Sequence, residues 1–401
     1  MAPTAYTGSG VMLAVIREGS GSTRSALGDR LGWSRMTVGK RLDELLTGGY
    51  IVATGQLDST GGRRPETFAL NKDAGLLLAA DIGSSHSRLG ITDLASNVLI
   101  EAEVDIDLST GPDRVLGWAL EVFTHLLGSI GREKPDVRAI GIGVPGPVDP
   151  RSGRLVNPPI MPGWDGVLVS EYFATQYDAV VAVDRDVNIM AVGEHRIGWP
   201  DWDNFALVKL GLGLGLGYVV GGRVFRGQIG AAGDLGHIRR GGQELCRCGT
   251  VGCLEANASG WAIRRELVAL GYPIQTSRDI VELAGRGNRD ALTRLASAGQ
   301  QIGESLADMV GFLDPSVVVI SGNLAEAGEP LLGAIRASIM ERVQPFHAKS
   351  LLIAPSKVGA KAGVIGASLM AQDALFEPDR VSTATRERSK DSPSRRSRSS
   401  G

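Results

Sequence analysis

Apolar positions recur along this chain with two periods, and the change from one to the other divides it. The first seventy residues read as three helices and a hairpin. Val11–Glu18 is apolar on one face. Ser22 or Thr23 can cap a second helix to Arg30, which turns Ala26, Leu27 and Leu31 inward before Gly32 ends it. Ser34 caps a third helix, Arg35 to Leu46, with Val38, Leu42, Leu45 and Leu46 on one face. Gly48-Gly49 stops that helix. Tyr50-Ile51-Val52 and Thr67-Phe68-Ala69-Leu70 then pair as two strands. This order predicts a winged helix-turn-helix over residues 1–72.

Beyond residue 72 the pattern becomes that of an α/β fold. Gly75–Ala80 reads as a buried strand running into Asp81-Ile82-Gly83-Ser84-Ser85. Strands at 87–93 and 98–105 continue a meander, and an amphipathic helix occupies 112–130. Arg138–Val144 ends at Pro145-Gly146-Pro147. The strand Val180–Val183 ends at Asp184-Arg185-Asp186-Val187-Asn188, and a helix follows. Strand 205–209, the alternating run Gly211–Gly217 and strand 218–220 repeat the plan. Two related halves about a cleft are therefore expected, one lobe at 73–198 and the other at 199–378. The remainder, 379–401, is rich in Arg and Ser without periodicity and is expected to be a disordered tail.

Composition narrows the partners. The chain has 401 residues, 43% of them hydrophobic, enough for two or three domains. A net charge of −2 excludes a basic signature over the whole chain. Residues 1–72, however, hold nine Lys and Arg against six Asp and Glu. That local excess fits a small reader of operator DNA on an acidic ligand domain. On the third helix Arg35, Met36, Lys40 and Arg41 are expected to lie off the buried stripe, facing the major groove. The hairpin tip Thr60–Pro65 supplies Arg63 and Arg64 for the minor groove. One such module offers few phosphate contacts, so a homodimer or homotetramer on a two-fold site is expected. No signal pattern opens the chain and no apolar run is long enough for a membrane span, so a cytoplasmic location is expected.

Three stretches carry chemistry. His237, Cys246, Cys248 and Cys253 include every cysteine of the chain. Three thiolates and one imidazole suit tetrahedral Zn²⁺ in a structural role, and Gly249 and Gly252 supply tight turns. Asp81, at a strand end before a small-residue turn, suits Mg²⁺ beside a phosphate. Asp186, between a strand and a helix, is placed as a general base.

These motifs resemble the ROK family of bacterial repressors and sugar kinases, in particular members with an N-terminal winged helix-turn-helix. The resemblance spans about residues 11–375 and is most specific over Ala232–His237 and Cys246–Glu255. Ser34-Arg35 with Gly61–Pro65, Asp81–Ser85, Gly143–Pro147, Asp186–Asn188 and Gly211–Gly217 support it. It implies a two-lobed actin-like ATPase domain (ribonuclease H-like) with a zinc knuckle. It also implies a sugar held by the residues matching Asp186, Asp234, His237 and Glu255, with the knuckle fixing His237 and Glu255. In kinase members the residue matching Asp186 takes the proton from the sugar hydroxyl. The nucleotide turns match Asp81, Gly83, Ser85, Gly213, Gly215 and Gly322.

Departures from the kinase pattern point away from catalysis. Ser84-Ser85 stands for Gly-Thr, Leu212 for Thr, Ser321 for Gly, Arg185 and Ile160 for Asn, and Asp234 for Glu. Phosphoryl transfer depends on positioning, so such losses compound. The expectation is a sugar-responsive regulator, a repressor of carbohydrate uptake or metabolism genes. The alternative is an ATP-dependent and Mg²⁺-dependent sugar kinase that keeps a DNA-binding module. Arg185 adds the expectation of an acidic or phosphorylated ligand, or else pairs with Asp184 or Asp186 and contacts no ligand.

Overall fold

The computed structural model describes residues 8–19, 22–56, 65–83 and 87–391. The N-terminal unit contains helices α1 (Ser9–Glu18), α2 (Arg24–Leu31) and α3 (Arg35–Thr47). Thr23 caps α2 by accepting from the Ala26 N–H, and Ser34 caps α3 by accepting from the Thr37 N–H. Gly32, at φ +65, turns the chain between them. Strands β1 (Ser22–Thr23), β2 (Ile51–Gln56) and β3 (Glu66–Leu70) form an antiparallel sheet ordered β1-β3-β2. Its short third member, β1, is a strand that periodicity did not indicate. Met12, Leu13, Ile16, Leu27, Val38, Leu42, Leu45, Ile51 and Phe68 make the core.

The first lobe contains β4 (Leu76–Ile82), β5 (Ser87–Asp93), β6 (Val98–Val104), α4 (Pro112–Ser129), β7 (Val137–Val144), α5 (Val169–Ala174), β8 (Val180–Arg185) and α6 (Asp186–Gly198). Its sheet is ordered β6-β5-β4-β7-β8. β4 pairs antiparallel with β5 and parallel with β7. Helices cover both faces of this central strand, which explains its unbroken apolar run. The second lobe contains β9 (Phe205–Leu210), β10 (Leu214–Val220), β11 (Arg223–Val224), α7 (Leu254–Ala258), α8 (Gly260–Ala269), α9 (Ser277–Gly285), α10 (Arg289–Leu313), β12 (Val317–Ser321), α11 (Glu329–Arg342), α12 (Pro345–Ser350) and β13 (Leu352–Pro355). The order β11-β10-β9-β12-β13 repeats the first sheet strand for strand.

Two expectations about the C-terminal part need correction. Helix α13 (Ala362–Leu375) packs on β4, β7 and α6 of the first lobe, although residues 199–378 were assigned to the second. Val364 and Ala367 share a buried cluster with Ala79 and Ile189. The helices α6 and α13 touch backbone to backbone, because a Cβ on Gly366 would lie 1.7 Å from the Ile189 carbonyl oxygen. The supposed tail is also ordered in its first part. Helix α14 (Pro378–Asp391) buries Val381 and Thr385 against α1. Gly10 donates its N–H to Ser382 Oγ at 3.1 Å, and a Cβ on Gly10 would strike the Pro378 carbonyl. A helix with so few buried side chains leaves almost no period to read. Residues 392–401 lie outside the described part. Leu77, Ala139, Ala371, Phe376 and Val381 join the core of the N-terminal unit, which thereby rests on the first lobe and on α13 and α14.

Candidate functional site: an interlobe cleft and a thiol cluster

The C-terminal ends of β4, β7, β8, β9 and β12 converge on a cleft of about 460 Å³. Both lobes line it, as expected for open sheets that bind ligands beyond their strand ends. Asp81 is the penultimate residue of β4 and Gly83 follows the strand, Pro145-Gly146-Pro147 follow β7, and Arg185 and Asp186 end β8 and begin α6. From the second lobe come Lys209, Gly213, Gly215 and Gly322. Ser85 lies outside the described residues.

Asp186 is the first residue of α6, and its Oδ1 accepts from the Val187 N–H at 2.7 Å. Its Oδ2 accepts from Lys209 Nζ at 2.6 Å. Burial alone would pull the Lys209 pKa down, but Asp186 and Asp81 hold it above the ordinary lysine value. Asp81 has a buried Oδ1 without a hydrogen-bond partner. Burial pushes its pKa up to about 6; Lys209 opposes the rise and Asp186 adds to it. Its place depends on Gly363 of α13, where a Cβ would sit 1.9 Å from Asp81 Oδ2. Lys209 was not anticipated from sequence. The signal was available: a lysine at a strand end, directly before a glycine-alternating turn.

Arg185 lines the cleft but is engaged by the protein itself. Its Nη1 donates to the Ala232 carbonyl at 2.8 Å, and its Nη2 lies 3.7 Å from Asp234 Oδ1. The side chain is 8% exposed, so the guanidinium braces the two lobes rather than waiting for an anion. Asp184 is bound by Arg226 Nε and Asn188 Nδ2, both at 2.7 Å. On the opposite wall Glu255 Oε2 accepts from the Leu214 N–H at 3.0 Å. Its Oε1 accepts from Arg247, whose guanidinium lies over the Trp261 ring. Asp234, His237 and Glu255 all line the cleft with Asp186. Asn157 lines it too, in a left-handed conformation at φ +40. At the mouth Glu103 of β6 accepts from Arg88 of β5 and from Arg278 of α9, tying the two lobes together.

Behind this wall the ligand atoms of His237, Cys246, Cys248 and Cys253 lie within 4.8 Å of one another. His237 Nδ1 faces Cys246 Sγ at 3.6 Å, and Cys248 Sγ lies 3.7 Å from Cys253 Sγ. Those separations exclude a disulfide and fit donors around one ion. Gly249 and Gly252, at φ +85 and +83, make the turns that bring the thiols together. Burial pushes Cys246 up and, with its neighbouring thiols, Cys253 up to about 12. The cluster is therefore able to bind a soft divalent metal, which would hold the thiolate forms. Because Nδ1 faces the thiols, the other ring nitrogen of His237 is left for the cleft.

The ROK family profile matches residues 77–374. The chain belongs to the ROK family. Among relatives, the xylose repressor of Caldicellulosiruptor bescii is 26% identical over 385 residues, covering 92% of this chain and 96% of its own. The glucokinase of Thermotoga maritima is 28% identical over 316 residues, covering 75% of this chain and 98% of its own. A solved ROK family transcriptional regulator, a homologue of the E. coli MLC protein, superposes with a TM-score of 0.79. It is 25% identical, and the match covers 96% of this chain and 99% of that one. The fold is thus the α/β fold of ROK sugar kinases and regulators, with two mixed sheets.

The regulator match runs through 96% of this chain and the glucokinase match through 75%, so the N-terminal face matters. On α3, Arg35, Met36 and Lys40 are exposed, Met36 to 83%. Arg41 is not part of that face: its Nη1 binds both carboxylate oxygens of Glu44, at 2.8 and 3.2 Å. Glu44 also accepts from Ser9, so Arg41 serves the contact between α3 and α1. Arg63 and Arg64 lie outside the described residues. Among the described residues no helix is long and apolar enough to cross a membrane.

Proposed function

We propose that this ROK protein is a sugar-responsive transcriptional repressor of carbohydrate genes. One observation carries the reading above the others. The correspondence with a ROK transcriptional regulator runs through 96% of the chain, N-terminal unit included. Helices α1–α3 and the β2–β3 hairpin act as a winged helix-turn-helix. α3 enters the major groove with Arg35, Met36 and Lys40 foremost, and the hairpin tip with Arg63 and Arg64 reaches the minor groove. Two such units in a homodimer or a homotetramer read a two-fold operator.

The effector is a neutral monosaccharide in the cleft, held by Asp186, Asp234, His237 and Glu255. The fixed placement of Arg185 removes the reason to expect a phosphorylated one. Zn²⁺ suits the cluster of His237, Cys246, Cys248 and Cys253. When bound it supplies rigidity and keeps the thiols ionised, while His237 and Glu255 present their remaining atoms to the sugar. Helix α13 connects the two functions. It begins with Gly363 against Asp81 in the cleft and ends beside Phe376, whose ring meets Tyr50 edge-on at 6.4 Å. A sugar that lowers operator affinity tenfold must bind the released form about 1.4 kcal/mol more favourably.

The test is a gel-shift titration with DNA from upstream of the gene, repeated with xylose, glucose and N-acetylglucosamine. A specific complex sensitive to one sugar is expected. Turnover of ATP with any of these sugars, abolished by Asp186→Asn, would instead establish the kinase reading with ATP and Mg²⁺.

A further inference from the structure

Among the described residues of the cleft, Lys209 makes a contact that neither the family motifs nor the sensor reading requires. It projects from the end of β9 in the second lobe and reaches Asp186 of the first at 2.6 Å. Its ammonium lies in the field of Asp81 as well, and both carboxylates line the same cleft. Asp81 is the strand-end carboxylate suited to Mg²⁺, and Asp186 is the one suited to a base. Two carboxylates facing one cavity need a compensating cation. In this chain the compensating charge is covalently attached.

We propose that Lys209 is an internal cation standing where a divalent metal would otherwise sit, so the cleft takes sugar but rejects metal-bound nucleotide. Three effects follow from that one side chain. The ammonium neutralises the carboxylates a metal would use. It holds Asp186 by a charged hydrogen bond, which makes that oxygen a poor acceptor for a sugar proton. It also spans the lobes, since Asp186 opens α6 while Lys209 closes β9. The cleft is then a binding site whose closure is stabilised by the protein's own charge. This inference rests on the sensor reading and explains it by one residue, where sequence departures spread the loss over both phosphate turns.

The experiment is a Mn²⁺ titration followed by electron paramagnetic resonance, with and without AMP-PNP, on zinc-loaded full-length protein. Wild type, Lys209→Met, Lys209→Arg and Lys209→Met/Asp186→Asn are compared. Thermal midpoints and zinc content check folding, and Lys209→Thr replaces Lys209→Met if the latter does not fold. Lys209→Met should bind Mn²⁺ at least tenfold more tightly than wild type. Lys209→Arg should behave as wild type, because a cation is retained. The double variant should lose the gain. The idea is overturned if wild type binds Mn²⁺ or Mn²⁺·AMP-PNP as tightly as Lys209→Met, or if the gain survives in the double variant. Failure of the sensor reading looks different: no sugar-dependent change in DNA binding, while wild type still excludes Mn²⁺.

Discussion

Replacing Asp81 by Asn should stabilise this protein at neutral and alkaline pH and leave it nearly unchanged in acid. The carboxyl is raised from 3.8 to about 6, with burial as the leading cause. At about 1.4 kcal/mol per pH unit, its ionised form costs about 3 kcal/mol in the folded state. The sign follows from proton binding. A group whose folded pKa is raised binds its proton more tightly when folded. Its contribution is therefore complete below about pH 4 and is lost as pH rises through about 6. Lys209 already pulls the value down, so the remaining about 3 kcal/mol is desolvation, with repulsion from Asp186 added, that the ammonium does not offset. Asn keeps the shape without the charge. At pH 8 Asp81→Asn should melt about 6 °C above wild type, at roughly 2 °C per kcal/mol. At pH 4.5 the gap should shrink to about 1 kcal/mol, roughly 2 °C, because the unfolded carboxyl is still largely ionised there. The assay is differential scanning fluorimetry at one scan rate over pH 4.5–8.5. A variant less stable than wild type at pH 8 would refute the reasoning, because attraction to Lys209 would then exceed the cost of burial.

Three further outcomes are expected. Cys248→Ser should reduce bound zinc from one per chain to well under half by elemental analysis, and sugar affinity should fall with it, since His237 and Glu255 lose their support. Phe376→Ala should destabilise the junction of α13 with the N-terminal unit by about 3–4 kcal/mol, the usual cost of removing a buried aromatic ring; limited proteolysis should release the N-terminal unit faster, and unchanged cleavage would count against this contact. Arg35→Ala and Lys40→Ala should each flatten the salt dependence of operator binding by about one phosphate contact, whereas Arg41→Ala should act through stability, because Arg41 is held by Glu44.

Much of the fold was legible because its signals are local. The caps at Thr23 and Ser34, the apolar run of β4 and the repeated meander each lie within a few residues. The thiol cluster was legible too, since Cys246 to Cys253 and the glycines at 249 and 252 form one short loop. The errors fell where a short stretch depends on distant packing. Sequence offers Arg185 a ligand or its neighbours Asp184 and Asp186 as partners; folding instead brings Ala232 and Asp234 beside it from the other lobe. Helix α14 reads as a tail until Gly8, just before α1, and Gly10 within it allow α14 to dock.

By itself the sequence determined most of the element order, the closeness of the three cysteines along one loop, and the family. Periodicity, capping and ligand spacing act over one turn or one loop, so chain order suffices to read them. Only the tertiary structure decided the state of the cleft. It placed Lys209 on Asp186, fixed Arg185, carried α13 back to the first lobe and rested the N-terminal unit on that helix. These contacts join residues separated along the chain by tens to hundreds of positions. A buried charge takes whichever partner folding brings near, and local sequence carries no record of that partner.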